Sequence, residues 1–117
     1  MPLSLHYNYS SLKKQKMHVS EKNVSGTHFH GDTINASVKE LTKILGKPTY
    51  EDKSIVEKIN FEWVLETSNG HPVTLYTWKE YRRFKKSEVV NLHIGGFSKS
   101  ATSIAKGELE FLLNLKR

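Results

Sequence analysis

Cysteine is absent from this 117-residue chain. Disulfide scaffolds, zinc–thiolate sites, iron–sulfur clusters and cysteine nucleophiles are thereby excluded. No apolar run approaches the ~18 residues that a membrane span needs. The opening Met1-Pro2-Leu3-Ser4-Leu5-His6-Tyr7 lacks the basic flank and apolar stretch of a signal peptide. A soluble, cytoplasmic protein with no membrane contact is the expectation. Internal repeats and low-complexity tracts are also missing. No Ser-His-Asp order, paired carboxylates or metal motif stands out, so the chain is read as a non-enzyme with no cofactor. Acidic residues are the scarcer charge: 12 Asp and Glu against 18 Lys and Arg give a formal net charge of +6. That balance favours an anionic partner, whether nucleic acid, nucleotide, phosphate or acidic protein.

What is present suffices for one domain, 1–117, since domains usually run to ~100–200 residues. Aromatics make up 10% of the chain, too many for disorder. Leu3, Leu5, Tyr7 and Tyr9 alternate with polar residues, the period of a strand with one buried face. A lysine-rich linker follows, so residues 1–16 read as an N-terminal strand and linker that could pair with a neighbouring subunit. Residues 17–24 and 26–31 read as short extended pieces. Ser37-Val38-Lys39-Glu40 fits a capping box, and Ile34, Val38, Leu41 and Leu45 make a helical stripe stopped by Gly46 and Pro48. A first helix is predicted over 35–45.

A hairpin follows. Ile59, Phe61, Trp63 and Leu65 share one face of its first strand, with Asn60, Glu62 and Glu66 on the other. Asn69-Gly70 predicts a tight turn with both central residues at positive φ. Val73 to Trp78 is the return strand, with Thr74, Tyr76 and Trp78 on one face. Residues 89–94 are the last strand, and an amphipathic helix is predicted over 100–115. Its apolar arc includes Ala101, Leu109, Phe111, Leu112 and Leu115, and also Glu108, which calls for a partner such as Arg82 or Lys79. The fold class is α+β: an antiparallel sheet with two helices on one face and the other face free for a ligand or partner.

Three groups of residues could carry chemistry. His93-Ile94-Gly95-Gly96-Phe97-Ser98-Lys99-Ser100 runs from a strand through two glycines into a helix. Glycines admit a phosphate to the backbone, and a helix N-terminus offers free amides and a positive dipole end. The same residues also suit a glycine turn with ordinary capping hydroxyls. Tyr76 to Lys86 interleaves aromatics with cations, and five of the eight residues 79–86 are Lys or Arg. Aromatics stack on bases while cations neutralise phosphates; a solvated basic loop anchored by Tyr81 and Phe84 is the plainer reading. His28 and His30 are two apart in an extended stretch, a spacing that fits a metal but fits polar strand residues better. The candidate ligand-binding set is Tyr76, Trp78, Lys79, Arg82, His93, Gly95, Gly96, Ser98, Lys99 and Ser100.

Leu45-Gly46-Lys47-Pro48, Phe61-Glu62-Trp63, Thr74-Leu75-Tyr76-Thr77-Trp78-Lys79-Glu80-Tyr81-Arg82 and His93-Ile94-Gly95-Gly96 follow one another in a consistent order. In this pattern, spread over 38–110, the chain resembles short phage-encoded proteins, a group that includes viral anti-CBASS sponges. The resemblance implies a non-catalytic immune-evasion module that sequesters a cyclic nucleotide signal of host defence and works as a homo-oligomer in the host cytoplasm. Two positions depart from the pattern: Thr77 stands where it has Asp, and Leu92 where it has Trp. The second departure puts a stacking role there in doubt. Glu57-Lys58 stands where the pattern has Asp-Lys. The alternatives are a small basic nucleic-acid-binding protein, using 13–16 and 82–86, or an inhibitor of an acidic host protein surface.

Overall fold

The computed structural model describes residues 17–52 and 57–117. The strand and linker expected over 1–16 lie outside the described residues. The described residues form, in order, β1 (His18–Val19), β2 (His28–Ser37), α1 (Val38–Leu45), β3 (Tyr50–Glu51), β4 (Phe61–Glu66), β5 (Pro72–Thr77), β6 (Val89–Gly96) and α2 (Lys99–Lys116). The strands form one antiparallel sheet in the order β1-β4-β5-β6-β2, and β3 pairs with the other end of the β4 edge that β1 occupies. The α+β class expected from the sequence is the one found.

Strand alternation separates the two faces. Trp63, Leu65, Val73, Leu75, Leu92, Ile94 and Ile34 point toward the helices and are buried with Val38, Leu41, Ala105, Leu109 and Leu113. Helix α2 lies against β2, β5 and β6, and α1 packs beside it. Trp63 is fully buried and its indole N–H donates to the Gly46 carbonyl at 3.0 Å, tying β4 to the end of α1. Residues one step out of phase, among them Glu62, Thr74, Tyr76, His93 and Gly95, lie on the opposite face, which neither described helix covers.

The capping box forms as read. Glu40 N–H donates to Ser37 Oγ at 3.0 Å, and Ser37 N–H to Glu40 Oε1 at 3.0 Å. The helix therefore begins at Val38 rather than 35, because Asn35 stays in β2, opposite Asn91. The piece expected over 26–31 is part of a ten-residue strand. A bulge between Phe29 and Thr33 interrupts its pairing with β6, and Gly31 supplies a φ of +98° there. Within 17–24 only His18–Val19 is strand.

The 69–70 turn is where it was expected but not of the expected kind. Gly70 alone has positive φ, at +90°. Gly70 N–H donates to Thr67 O at 2.9 Å and Thr67 N–H to His71 O at 2.9 Å, a three-residue loop closed by a left-handed glycine. Glu108 is not partnered by Arg82 or Lys79; it accepts from the Ser68 amide at 2.8 Å and so pins this loop to α2. The apolar arc of α2 is narrower than counted, since Phe111 is 64% and Leu115 65% exposed.

Candidate functional site

The uncovered face carries a cavity of about 400 Å³, lined by Phe29, Glu62, Thr74, Tyr76, Trp78 and His93 along with Thr27, His28, Ile59 and Gly95. Its walls come from four strands through cross-strand register. Tyr76 stands opposite Glu62 on one side and His93 on the other, while Thr74 stands opposite Gly95. Phe29 reaches this face because it too pairs with Gly95, beyond the β2 bulge. The rings gather around His93: Phe29 stacks on it at 4.1 Å, Trp78 lies at 6.1 Å with 28° between planes, and Tyr76 meets it edge-on at 5.7 Å. Burial holds the His93 imidazole below its usual pKa, favouring the neutral ring.

Gly95 leaves room for this arrangement. A Cβ there would lie 2.6 Å from Thr74 Oγ1 and 3.5 Å from Tyr76 Cε1, so any side chain would displace the cavity floor. Trp78 sits at the end of β5 and is 37% exposed. Beyond it a second, more open hollow of about 530 Å³ is lined by Tyr50, Glu57, Lys58 and Tyr81, sharing Ile59, Glu62 and Trp78 with the first. Lys79 turns the chain at a φ of +57°, unusual for a residue with a side chain. Its amide donates to Lys58 O at 2.7 Å, and its Nζ lies 5.5 Å from the Trp78 ring centroid.

Glu62 is the acidic group common to both hollows. Burial pushes its carboxyl above the usual carboxylate range. Burial first and the Glu62 charge second raise the Tyr76 hydroxyl, whereas the Tyr50 hydroxyl is raised chiefly by burial and its hydrogen bond to Asp52. Among the described residues Glu62 has neither a salt bridge nor a side-chain hydrogen bond. Asp32, Glu40, Glu66 and Glu88 each have a cationic partner.

The ten residues singled out in the sequence divide into groups. Tyr76, Trp78, His93 and Gly95 meet at the cavity, with Lys79 at its rim. Gly96, Ser98, Lys99 and Ser100 do not join them. A Cβ at Gly96 would come 2.8 Å from Thr102 Cγ2, so this glycine serves the close packing of α2. Ser98 Oγ accepts from the Ala101 amide at 3.1 Å as the N-cap of α2, and Ser100 is exposed in the first turn.

The anion expected at this helix terminus is the protein's own. Asp32, 8% exposed, accepts from Thr102 Oγ1 at 2.7 Å and Ser103 Oγ at 3.2 Å, and Lys99 Nζ lies 3.0 Å from its other oxygen. Those hydrogen bonds, Thr102 first, together with the Lys99 charge, lower its pKa against the opposing effect of burial. Arg82 is likewise engaged, with Glu88 at 2.6 Å and Glu80 at 3.3 Å. His30 Nε2 lies 2.9 Å from Gly96 O and His28 lines the cavity; among the described residues no cluster of three metal-ligating groups occurs. Leu92 is fully buried, so no ligand stacks at that position.

Phe29 and Glu62 were missed as site residues. Glu62 could have been found from the hairpin register, which sets it beside Tyr76. Phe29 could not, because the bulge hides its phase. Comparison with protein-family models, curated proteins and solved structures finds no match to this chain. None of the described helices is long and apolar enough to cross a membrane.

Proposed function

We propose that the uncovered face of the sheet binds an anionic nucleotide and sequesters it without turnover. The reading is carried by the cavity in which Phe29, Tyr76, Trp78 and His93 converge beside Glu62, a carboxylate with no partner among the described residues. Flat apolar rings offer stacking surface to a base, at ~1–3 kcal/mol per base. The net charge of +6 and the lysines at the rim, Lys58 and Lys79, give the phosphate its counter-charge. A cyclic nucleotide of host antiviral signalling is the ligand class that the resemblance to phage sponges implies, with the host cytoplasm as the setting. The helix-terminus residues are left out of this site, because Asp32 occupies that position.

A thermal-shift panel of cyclic and linear nucleotides, with single-stranded DNA and RNA alongside, tests the proposal. Stabilisation by a small nucleotide that is recovered chemically intact supports it. Stabilisation by polymers alone, with affinity falling steeply in salt, favours a nucleic-acid binder. No shift with any of them rejects both. The proposal also has the protein acting as a homo-oligomer, supported by the exposed Phe111 and Leu115, one turn apart on α2. A monomeric mass by light scattering at micromolar protein would reject that part.

A further inference from the structure

Glu62 is the one polar side chain that lines both hollows of the groove and still lacks a partner among the described residues. Its position is fixed by the sheet. It stands on β4 between Tyr50 of β3 and Tyr76 of β5, so tyrosine flanks it on both sides. A carboxylate withdrawn from water without donors is unfavourable, and none of the described residues relieves it. The other carboxylates that face cations are satisfied within the chain; this one faces the space a ligand would enter.

We infer that Glu62 sets base specificity in this groove, selecting a guanine-type ring edge over an adenine-type one. The inference rests on the nucleotide reading above and deepens it. A carboxylate has two acceptor oxygens and no donor. Guanine presents two adjacent donors, N1–H and the N2 amino group, which pair with both oxygens at once. Adenine presents one donor, N6–H, beside the N1 lone pair, which a carboxylate repels. Ring stacking on Trp78 and His93 is similar for either purine, so discrimination falls to the edge. Hydrogen bonds to a charged group are the stronger kind and leave a larger penalty when unmade.

Calorimetric titration with GMP and AMP tests this on wild-type protein and on Glu62→Gln. Wild-type protein should bind GMP about tenfold or more tighter than AMP, the scale set by one charge-assisted hydrogen bond. Glutamine offers one acceptor and one donor, which matches the adenine edge. Glu62→Gln should therefore weaken GMP about tenfold or more and bring AMP level or ahead. Circular dichroism checks the fold, and the variant should melt no lower than wild type, since an unpaired charge has been removed. Equal wild-type affinity for the two purines, or an unchanged ratio in Glu62→Gln, overturns the inference while leaving the nucleotide reading standing. Failure of either nucleotide to bind wild-type protein, with tetramethylammonium binding instead, overturns both and makes the groove a cage for cations.

Discussion

Two tryptophans with opposite surroundings separate stability from binding at the scale of single residues. Trp63 is fully buried, with its indole N–H bonded to Gly46. Trp63→Ala should cost about 3–5 kcal/mol in denaturant unfolding, as large aromatic truncations in cores do. Trp78 is more than a third exposed and lines both hollows. Trp78→Ala should leave the unfolding midpoint nearly unchanged and weaken nucleotide binding about 10–100-fold, the loss of one stacked base. Lys79 is a second test. Asparagine tolerates the left-handed conformation that Lys79 holds at φ +57°. Lys79→Asn should therefore keep the fold while lowering affinity for a phosphorylated ligand more than for the corresponding nucleoside, as read by paired titrations. An equal loss for both would show that its charge does not meet the phosphate.

Between elements, two ion pairs join pieces far apart in the chain. Asp32 of β2 holds the first turn of α2 through Thr102, Ser103 and Lys99. Asp32→Ala should destabilise the protein by about 1.5–3 kcal/mol, since it strands donors that served a charged acceptor. Lys99→Ala should weaken that contact and spare nucleotide binding, the reverse of what a helix-terminus anion site requires. Glu40 links α1 to the end of α2. Hydrogen bonds from Arg117, helped by the Ser37 amide and opposed by burial, hold its carboxyl down at about 2. A pKa depressed by folding contributes stability above the ordinary value near 4.5 and loses it as pH falls toward 2. The stability difference between wild type and Arg117→Ala should be constant above that value and shrink below it. A difference independent of pH would mean that Arg117 acts through packing alone. The capping box at Ser37 and the hairpin at 69–70 were legible in the sequence because their signals are local, within four residues. The reach of β2 was not, because the Gly31 bulge breaks the alternation that marks a strand. The pairing of Lys99 was not legible for a related reason: its carboxylate partner lies in another element, and no spacing rule connects Asp32 to it.

For the whole molecule, the sheet does two jobs on its two sides. One face is filled by α1 and α2 around Trp63, Leu75 and Ile94. The other collects aromatic rings from β2, β5 and β6 around a carboxylate from β4. The sequence reading reached Tyr76, Trp78, His93 and Gly95 of that second face because strand phase and aromatic content coincide there. It missed Phe29 and Glu62, whose membership depends on pairing between strands rather than on either strand alone. The central claim is that this face is where the ligand sits. Trp78 lies in the groove while Trp63 is sealed in the core, so intrinsic fluorescence reports the groove directly. Titrating GMP into wild-type protein should change tryptophan emission along a saturating curve that coincides with the calorimetric isotherm, and Trp78→Phe should abolish the optical signal. Binding heat with no change in emission, or a change that survives in Trp78→Phe, would place the ligand elsewhere and contradict the account.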